Sequence, residues 1–213
     1  MVGIFSTCLT ARNQTIAINL YWFDTTMKII KTSLPDVVVV EPDVFADVRG
    51  KFMETFRVNR YQEAGIPGPF VQDNFSRSQR GVLRGLHYQL QKPQGKLVQV
   101  LRGEVFDVAV DIRRGSPTFR QWTAAILSEE NNRQMYIPPG FAHGFLVLSE
   151  TVDFVYKCTD YYDRDDECGV LWSDPAIGIR WPGGEQLLSA KDSALPELAA
   201  IPDEKLPVYQ ASP

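Results

Sequence analysis

KLVQVLRGEVFDVAVDI, residues 96–112, holds two runs of alternating side chains on either side of one glycine. In the first run Lys96 shares a face with Val98 and Val100; in the second, Phe106, Val108, Val110 and Ile112 form a wholly apolar face. Alternation with a period of two and many β-branched residues is the pattern of strands half-buried on a sheet. Arg102-Gly103-Glu104 is short enough for a hairpin, and the apolar face suits a strand packed on the core of a sandwich.

The same pattern extends in both directions. Strand signals occur at 37–40, 51–58, 70–75, 82–90, 119–127, 134–138, 143–148, 151–158 and 168–172, with Gly, Pro, Asp and Asn between them. Asp47-Val48-Arg49-Gly50 reads as a turn and Glu129 to Asn132 as a polar loop. Residues 61–69 read as a short irregular or one-turn helical piece, and Ala190 to Ala200 as a terminal helix. Short strands at this spacing predict one all-β domain, a sandwich or barrel, with a helical tail.

At 213 residues the chain is long enough for one full hydrophobic core, and its net charge of −4 is mixed along the sequence. That balance points away from a nucleic-acid surface, and no apolar run has the length of a membrane span. Three cysteines, Cys8, Cys158 and Cys168, form no metal-type pair and suit reduced thiols in a cytoplasmic protein. Residues 1–26 differ from the rest. Their apolar run, Ile16 to Phe23, is preceded by Arg12 alone among basic residues and followed by no small-residue cleavage site, so it reads poorly as an export signal. Met27 opens MKIIKTSLPDVVVV like a natural start. The expectation is an extension over 1–26, outside the fold and the chemistry, and a single domain over 27–213.

Only two histidines occur, His87 in GVLRGLHYQ (81–89) and His143 in YIPPGFAHGF (136–145), both at the ends of strand-like runs. Alternation places Lys96 on an interior face, and likewise Tyr156 beside Val152, Phe154 and Cys158. An inward His, Lys and Tyr suit proton transfer beside a carbonyl. Imidazole, with an ordinary pKa of about 6.5, takes a proton from carbon; an ammonium neutralises the enolate; a phenol returns a proton from the other side. Taken singly, a His or Tyr in a β core is more often structural. An inward Lys is harder to dismiss, because an unpaired buried charge is costly. The rival is a metal on both histidines and a carboxylate, since a three-histidine site cannot be built from two. No phosphate-binding glycine loop or nucleophile elbow is present.

Ten motifs in order then give a resemblance: DVRGKFMETF (47–56), FVQDNFS (70–76), GVLRGLHYQ (81–89), PQGKLVQVLRGEVFDVAVDIR (93–113), SPTF (116–119), YIPPGFAHGF (136–145), YKCTDYY (156–162), WSDP (172–175), IRWP (179–182) and LSAKD (188–192). Over about residues 27–192 the chain resembles the dTDP-4-dehydrorhamnose 3,5-epimerase family. That resemblance implies a jelly-roll, cupin-type antiparallel β-sandwich and a metal-free enzyme needing no cofactor. It implies inversion of C3 and C5 of dTDP-4-dehydro-6-deoxy-D-glucose in dTDP-L-rhamnose biosynthesis. His87 would be the base, Asp192 its orienting carboxylate, Tyr156 the opposed donor and Lys96 the stabiliser of the C4 enolate oxygen. Arg84 and His143 would hold the substrate and Tyr162 would stack on the thymine. Arg49, Glu54, Gln72, Asn74, Glu167 and Lys191 match further ligand contacts. Family members pair as homodimers, so Arg49 and Glu54 would act in trans. A single-centre epimerase and a non-catalytic sugar-binding jelly roll are the alternatives. Strict alternation sets Arg84 and His87 on opposite faces, so both reach a ligand only if Gly85 introduces a bulge.

Overall fold

The computed structural model describes residues 27–210 and, before them, the backbone of 8–11 and 14–17. The expected extension over 1–26 thus lies largely outside the described residues; within it, β1 (Cys8–Ala11) and β2 (Gln14–Ala17) pair antiparallel with each other.

Two antiparallel sheets make the body. The first holds β3 (Lys28–Lys31), β4 (Val38–Glu41), β7 (Gln72–Gln79), β9 (Lys96–Arg102), β12 (Gln134–Ile137) and β14 (Thr151–Cys158), in the order β3-β4-β12-β9-β14-β7. The second holds β8 (Leu83–Gln89), β10 (Glu104–Asp111), β11 (Trp122–Ser128), β13 (Phe141–Val147) and β15 (Glu167–Gly169), in the order β11-β10-β13-β8-β15. A separate hairpin, β5 (Val44–Asp47) and β6 (Gly50–Met53), closes through the expected turn. Every pairing of these strands is antiparallel, as the all-β expectation required.

Two expectations from the 96–112 stretch do not hold. Its strands do not form a hairpin: β9 pairs with β12 and β14, whereas β10 pairs with β11 and β13. Gly103, at φ +82°, carries the chain from one sheet to the other. A Cβ there would lie 2.2 Å from the Thr151 carbonyl oxygen, so the corner requires glycine. The wholly apolar face also points the other way. Val105 and Ala109 join the core between the sheets with Val98, Val100, Met135, Phe145 and Phe154. Phe106, Val108, Val110 and Ile112 instead face outward, under a C-terminal segment that supplies Val170, Ile177, Leu198, Ile201 and Leu206. That segment covers the outer face, so both faces of β10 are largely buried, and the inter-sheet space also takes in polar groups.

Three boundaries moved for local reasons. The strand expected over 51–58 stops at Met53, and helix α1 (Val58–Glu63) starts where it was to end. Tyr61 from α1 packs with Val40, Ile66, Leu97 and Tyr136 on the outer face of the first sheet. The terminal helix is broken. Helix α2 (Ala190–Ser193) is capped by Ser189, whose Oγ accepts from the Asp192 N–H, and a 3-10 turn follows at Leu198–Ala200. Pro196 between them offers no amide hydrogen and rejects a continuous helix.

Candidate active site

Between the sheets lies a cavity of about 230 Å³ lined by Arg84 and His87 from β8, Lys96 from β9, His143 and Phe145 from β13, Phe154 and Tyr156 from β14, Ser76, Glu167 and Asp192. The problem of Arg84 and His87 is solved as the sequence required. Arg84 stands opposite Phe145 and His87 opposite His143, so three steps along β8 match two along β13. Gly85 takes up the extra residue at φ +126°, where a Cβ would lie 2.5 Å from the Gly144 Cα. This bulge turns both side chains toward the cavity.

His87 carries the clearest geometry. Its Nε2 is 2.6 Å from Asp192 Oδ1; a carboxylate only accepts, so Nε2 bears the hydrogen, and in the neutral imidazole Nδ1 then carries the lone pair. Nδ1 lies 3.9 Å from Glu167 Oε1, so a proton taken there would stand between two carboxylates. Burial works to raise the Asp192 carboxyl, but the hydrogen bonds from His87 and Ser189 and the charges of His87 and Lys191 outweigh it and hold it low. Asp192 reaches this place because Ser189 caps its helix and because Gly169, opposite His87, leaves room for Leu195.

Across the cavity, Tyr156 and Lys96 project from the other sheet, as alternation indicated. Burial pushes the Tyr156 hydroxyl up to about 12, so it holds its proton near neutrality. Burial lowers the Lys96 ammonium, while Cys158, Glu167 and Asp107 oppose that through space. His143 Nε2 lies 3.0 Å from each oxygen of Asp107, a carboxylate with no solvent exposure. The imidazole also stacks over Phe154, with 6.4 Å between ring centres. Asp107 was missed by sequence reasoning. Its signal was the face Val105-Asp107-Ala109, which carries no long polar side chain and so was built for an interior.

The remaining candidates divide into two groups. Lys191 forms an ion pair with Glu167 Oε2, and the Tyr162 hydroxyl donates to the same oxygen at 2.7 Å. The Tyr162 N–H donates to Gln72 Oε1 at 2.9 Å, and Gln72 Nε2 to Asn74 Oδ1 at 2.9 Å. These five therefore form one polar rim beside the cavity. Burial works to raise the Glu167 carboxyl, but Lys191, Tyr162 and His87 together bring it low. Arg84 donates to Ser78 Oγ at 3.2 Å and 3.1 Å. Arg49 and Glu54 stand apart. Arg49 is bound to Asp47 at the exposed β5–β6 turn, and Glu54 is paired with Arg60 at 2.9 Å.

The metal rival finds no geometry here. Each imidazole is engaged by its own carboxylate, and among the described residues no group of three or more His, Cys, Asp or Glu side chains is placed to hold an ion. Cys158 and Cys168 are free thiols.

Comparison with known proteins gives the family. The sequence profile of the dTDP-4-dehydrorhamnose 3,5-epimerase family matches residues 31–200. A dTDP-4-dehydrorhamnose 3,5-epimerase of Shigella flexneri is 57% identical over 168 residues, 78% of this chain and 93% of that protein. One from Neisseria gonorrhoeae is 57% identical over 169 residues, 79% of this chain; there the match spans only 52% of the longer protein. The crystal structure of a Legionella pneumophila dTDP-6-deoxy-D-glucose-3,5-epimerase in complex with dTDP-4-keto-L-rhamnose superimposes with a TM-score of 0.85 and 58% identity, covering 87% of this chain and all of that one.

Proposed function

Because this chain belongs to the dTDP-4-dehydrorhamnose 3,5-epimerase family, we propose that its cavity inverts C3 and C5 of dTDP-4-dehydro-6-deoxy-D-glucose to give dTDP-4-dehydro-L-rhamnose. The observation that carries this is His87 on one sheet, held by Asp192 of α2, facing Tyr156 and Lys96 on the other sheet. The C4 ketone acidifies the hydrogens on both neighbouring carbons, so one set of groups serves both centres. His87 Nδ1 removes the proton, Asp192 and Glu167 stabilise the imidazolium, and Lys96 neutralises the enolate oxygen with His143 beside it. Tyr156 then delivers a proton from the opposite side, and the centre inverts.

The rim of Gln72, Asn74, Tyr162, Glu167 and Lys191, with Arg84, takes the nucleotide end of the substrate, and Tyr162 offers its half-exposed ring to the base. Arg49 and Glu54 serve the site of a second copy, which accounts for their distance from this cavity. Phe75, Leu101, Phe52 and Val48 support the pairing, as exposed apolar side chains on the outer face of the first sheet and on the β5–β6 hairpin. Action in the cytoplasm follows from the substrate; among the described residues no helix is long and apolar enough to cross a membrane. Residues 1–26 take no part in this chemistry.

The test is an NMR time course in D₂O with dTDP-4-dehydro-6-deoxy-D-glucose. Deuterium at both C3 and C5, with an L-configured product after coupled reduction, is the expected result. Exchange at one carbon makes the protein a single-centre epimerase, and exchange at neither returns it to the binding modules. For the pairing, Arg49→Ala and His87→Ala proteins, each inactive alone, regain activity on mixing if Arg49 acts in trans.

A further inference from the structure

The cavity holds two His–Asp pairs, and only the His87–Asp192 pair has been given work beyond binding. In the second, Asp107 on β10 presents both oxygens to His143 Nε2 at 3.0 Å and has no other hydrogen-bond partner among the described residues. A carboxylate fully removed from water is retained only where a positive or proton-donating group compensates it. We propose that Asp107 is a positioning residue for the epimerisation: it locks His143 with Nε2–H turned down to it, so that Nδ1 presents an acceptor to a hydroxyl or ammonium in the cavity. This rests on the reading of the cavity as the epimerase site.

The charges around Lys96 make the second half of the argument. Two carboxylates act on its ammonium through space, Glu167 from β15 and Asp107 from β10. Glu167 is already paired with Lys191 and bonded by Tyr162, whereas among the described residues no Lys or Arg is bonded to Asp107. Directly across from Lys96 on β14 stands Cys158, whose thiol is buried and kept neutral by that burial. Tyr156 on the same strand is likewise neutral, and Arg84 is a fixed cation that can only oppose a second one. His87 already has its own carboxylate in Asp192, so among the described residues Asp107 is the carboxylate that holds His143 and also acts on Lys96.

The sign follows. Without the Asp107 charge, Lys96 gives up its proton more readily, so activity that needs the ammonium fails at a lower pH. In Asp107→Asn, which keeps shape and removes charge, kcat falls on the order of 10²-fold, the effect of losing the Lys96 ammonium as a donor to the developing oxyanion. KM changes little, and the alkaline limb of the rate profile moves down in pH. An amide at this position can also offer its NH₂ to Nε2 and invert the histidine tautomer, which adds to the loss.

A second measurement needs no variant protein to carry the result. With two histidines in the chain, ¹⁵N-histidine spectra of the wild type are assigned by comparison with His87→Asn. His143 is expected as the Nε2–H tautomer without substrate. A His143 protonated on Nδ1 alone overturns the proposal, and so does an Asp107→Asn protein with wild-type kcat and alkaline limb, whatever its melting temperature. Failure of the epimerase reading looks different: the wild type itself then exchanges no deuterium.

Discussion

Replacing Gly85 by Ala tests whether the bulge in β8 builds the site. The added methyl would lie 2.5 Å from the Gly144 Cα and 2.7 Å from the His143 carbonyl oxygen, both backbone atoms that no rotamer can move. Restoring ordinary contact requires β8 and β13 to part by roughly 1 Å, enough to cost about 10²-fold in rate when it displaces catalytic groups. The φ of +126° adds strain of about 1–2 kcal/mol for a residue with a Cβ. Overpacking between the strands adds about 1–3 kcal/mol. In a chain of this size each kcal/mol lowers Tm by about 2–4 °C, so a fall of roughly 5–20 °C is expected. The assay pairs a circular-dichroism melt with deuterium incorporation per folded molecule. Gly184→Ala is the control, because nothing lies within 4 Å of a Cβ there and its φ is unexceptional. Gly144→Ala should repeat the defect from the other strand, its Cβ falling 2.7 Å from the Arg84 carbonyl oxygen. A Gly85→Ala protein that melts with the wild type and exchanges deuterium at the wild-type rate would falsify the claim that the bulge places Arg84 and His87.

Other outcomes are expected. His87→Ala should lose about 10²- to 10⁴-fold in exchange at both carbons, the usual worth of a general base; exchange persisting at either carbon would mean a second base. Tyr156→Phe should still wash deuterium into substrate from the His87 side while the yield of inverted product falls by a similar factor; normal inversion would remove Tyr156 from the donor role. Asp111 sets the acid limb of stability. Burial works to raise its carboxyl, but bonds from Arg113, Ser116 and Thr118 outweigh it and hold it low. Its contribution is therefore full above the unfolded value of about 3.9 and lost as pH falls through the folded one. Asp111→Ala should cost about 3–5 kcal/mol at neutral pH, as breaking a buried ion pair does. Denaturant titrations at neutral and acid pH would show the gap from wild type closing, and a constant gap would refute the linkage.

The strand pattern was legible wherever one face met the core and the other did not. Alternation gave β9 and β14 at their observed bounds and turned Lys96 and Tyr156 inward. It could not say which sheet a strand joins, because pairing partners lie far along the chain; hence the hairpin expected at Gly103 proved to be a corner between sheets. Nor could it tell an apolar face that meets the other sheet from one that meets a C-terminal segment, since both look dry in sequence. That ambiguity hid Asp107, which sits on the face alternation assigned to the outside. The expected helix over 190–200 failed on Pro196 alone, a local signal that apolar periodicity overrode. Arg49 and Glu54 were quoted as motif positions, but in one chain neither lines the His87 cavity.

The histidines of the two His–Asp pairs stand on neighbouring strands, His87 opposite His143, yet their surroundings differ in one decisive respect. The His87 side chain is 25% exposed and that of His143 8%, over carboxylates at 7% and 0%. Each inversion leaves a proton on the base and takes one from Tyr156, so both groups must be reset before the next. A base must therefore exchange with water between steps, which the exposed pair allows and the sealed pair resists. Groups that hold the Lys96 ammonium ready for an oxyanion have the opposite need, to be fixed in a dry place where their charge is not screened. The same residue types thus divide the work by depth, and it is the bulge at Gly85, together with the outward apolar face of β10, that sets one pair at the rim and the other at the floor.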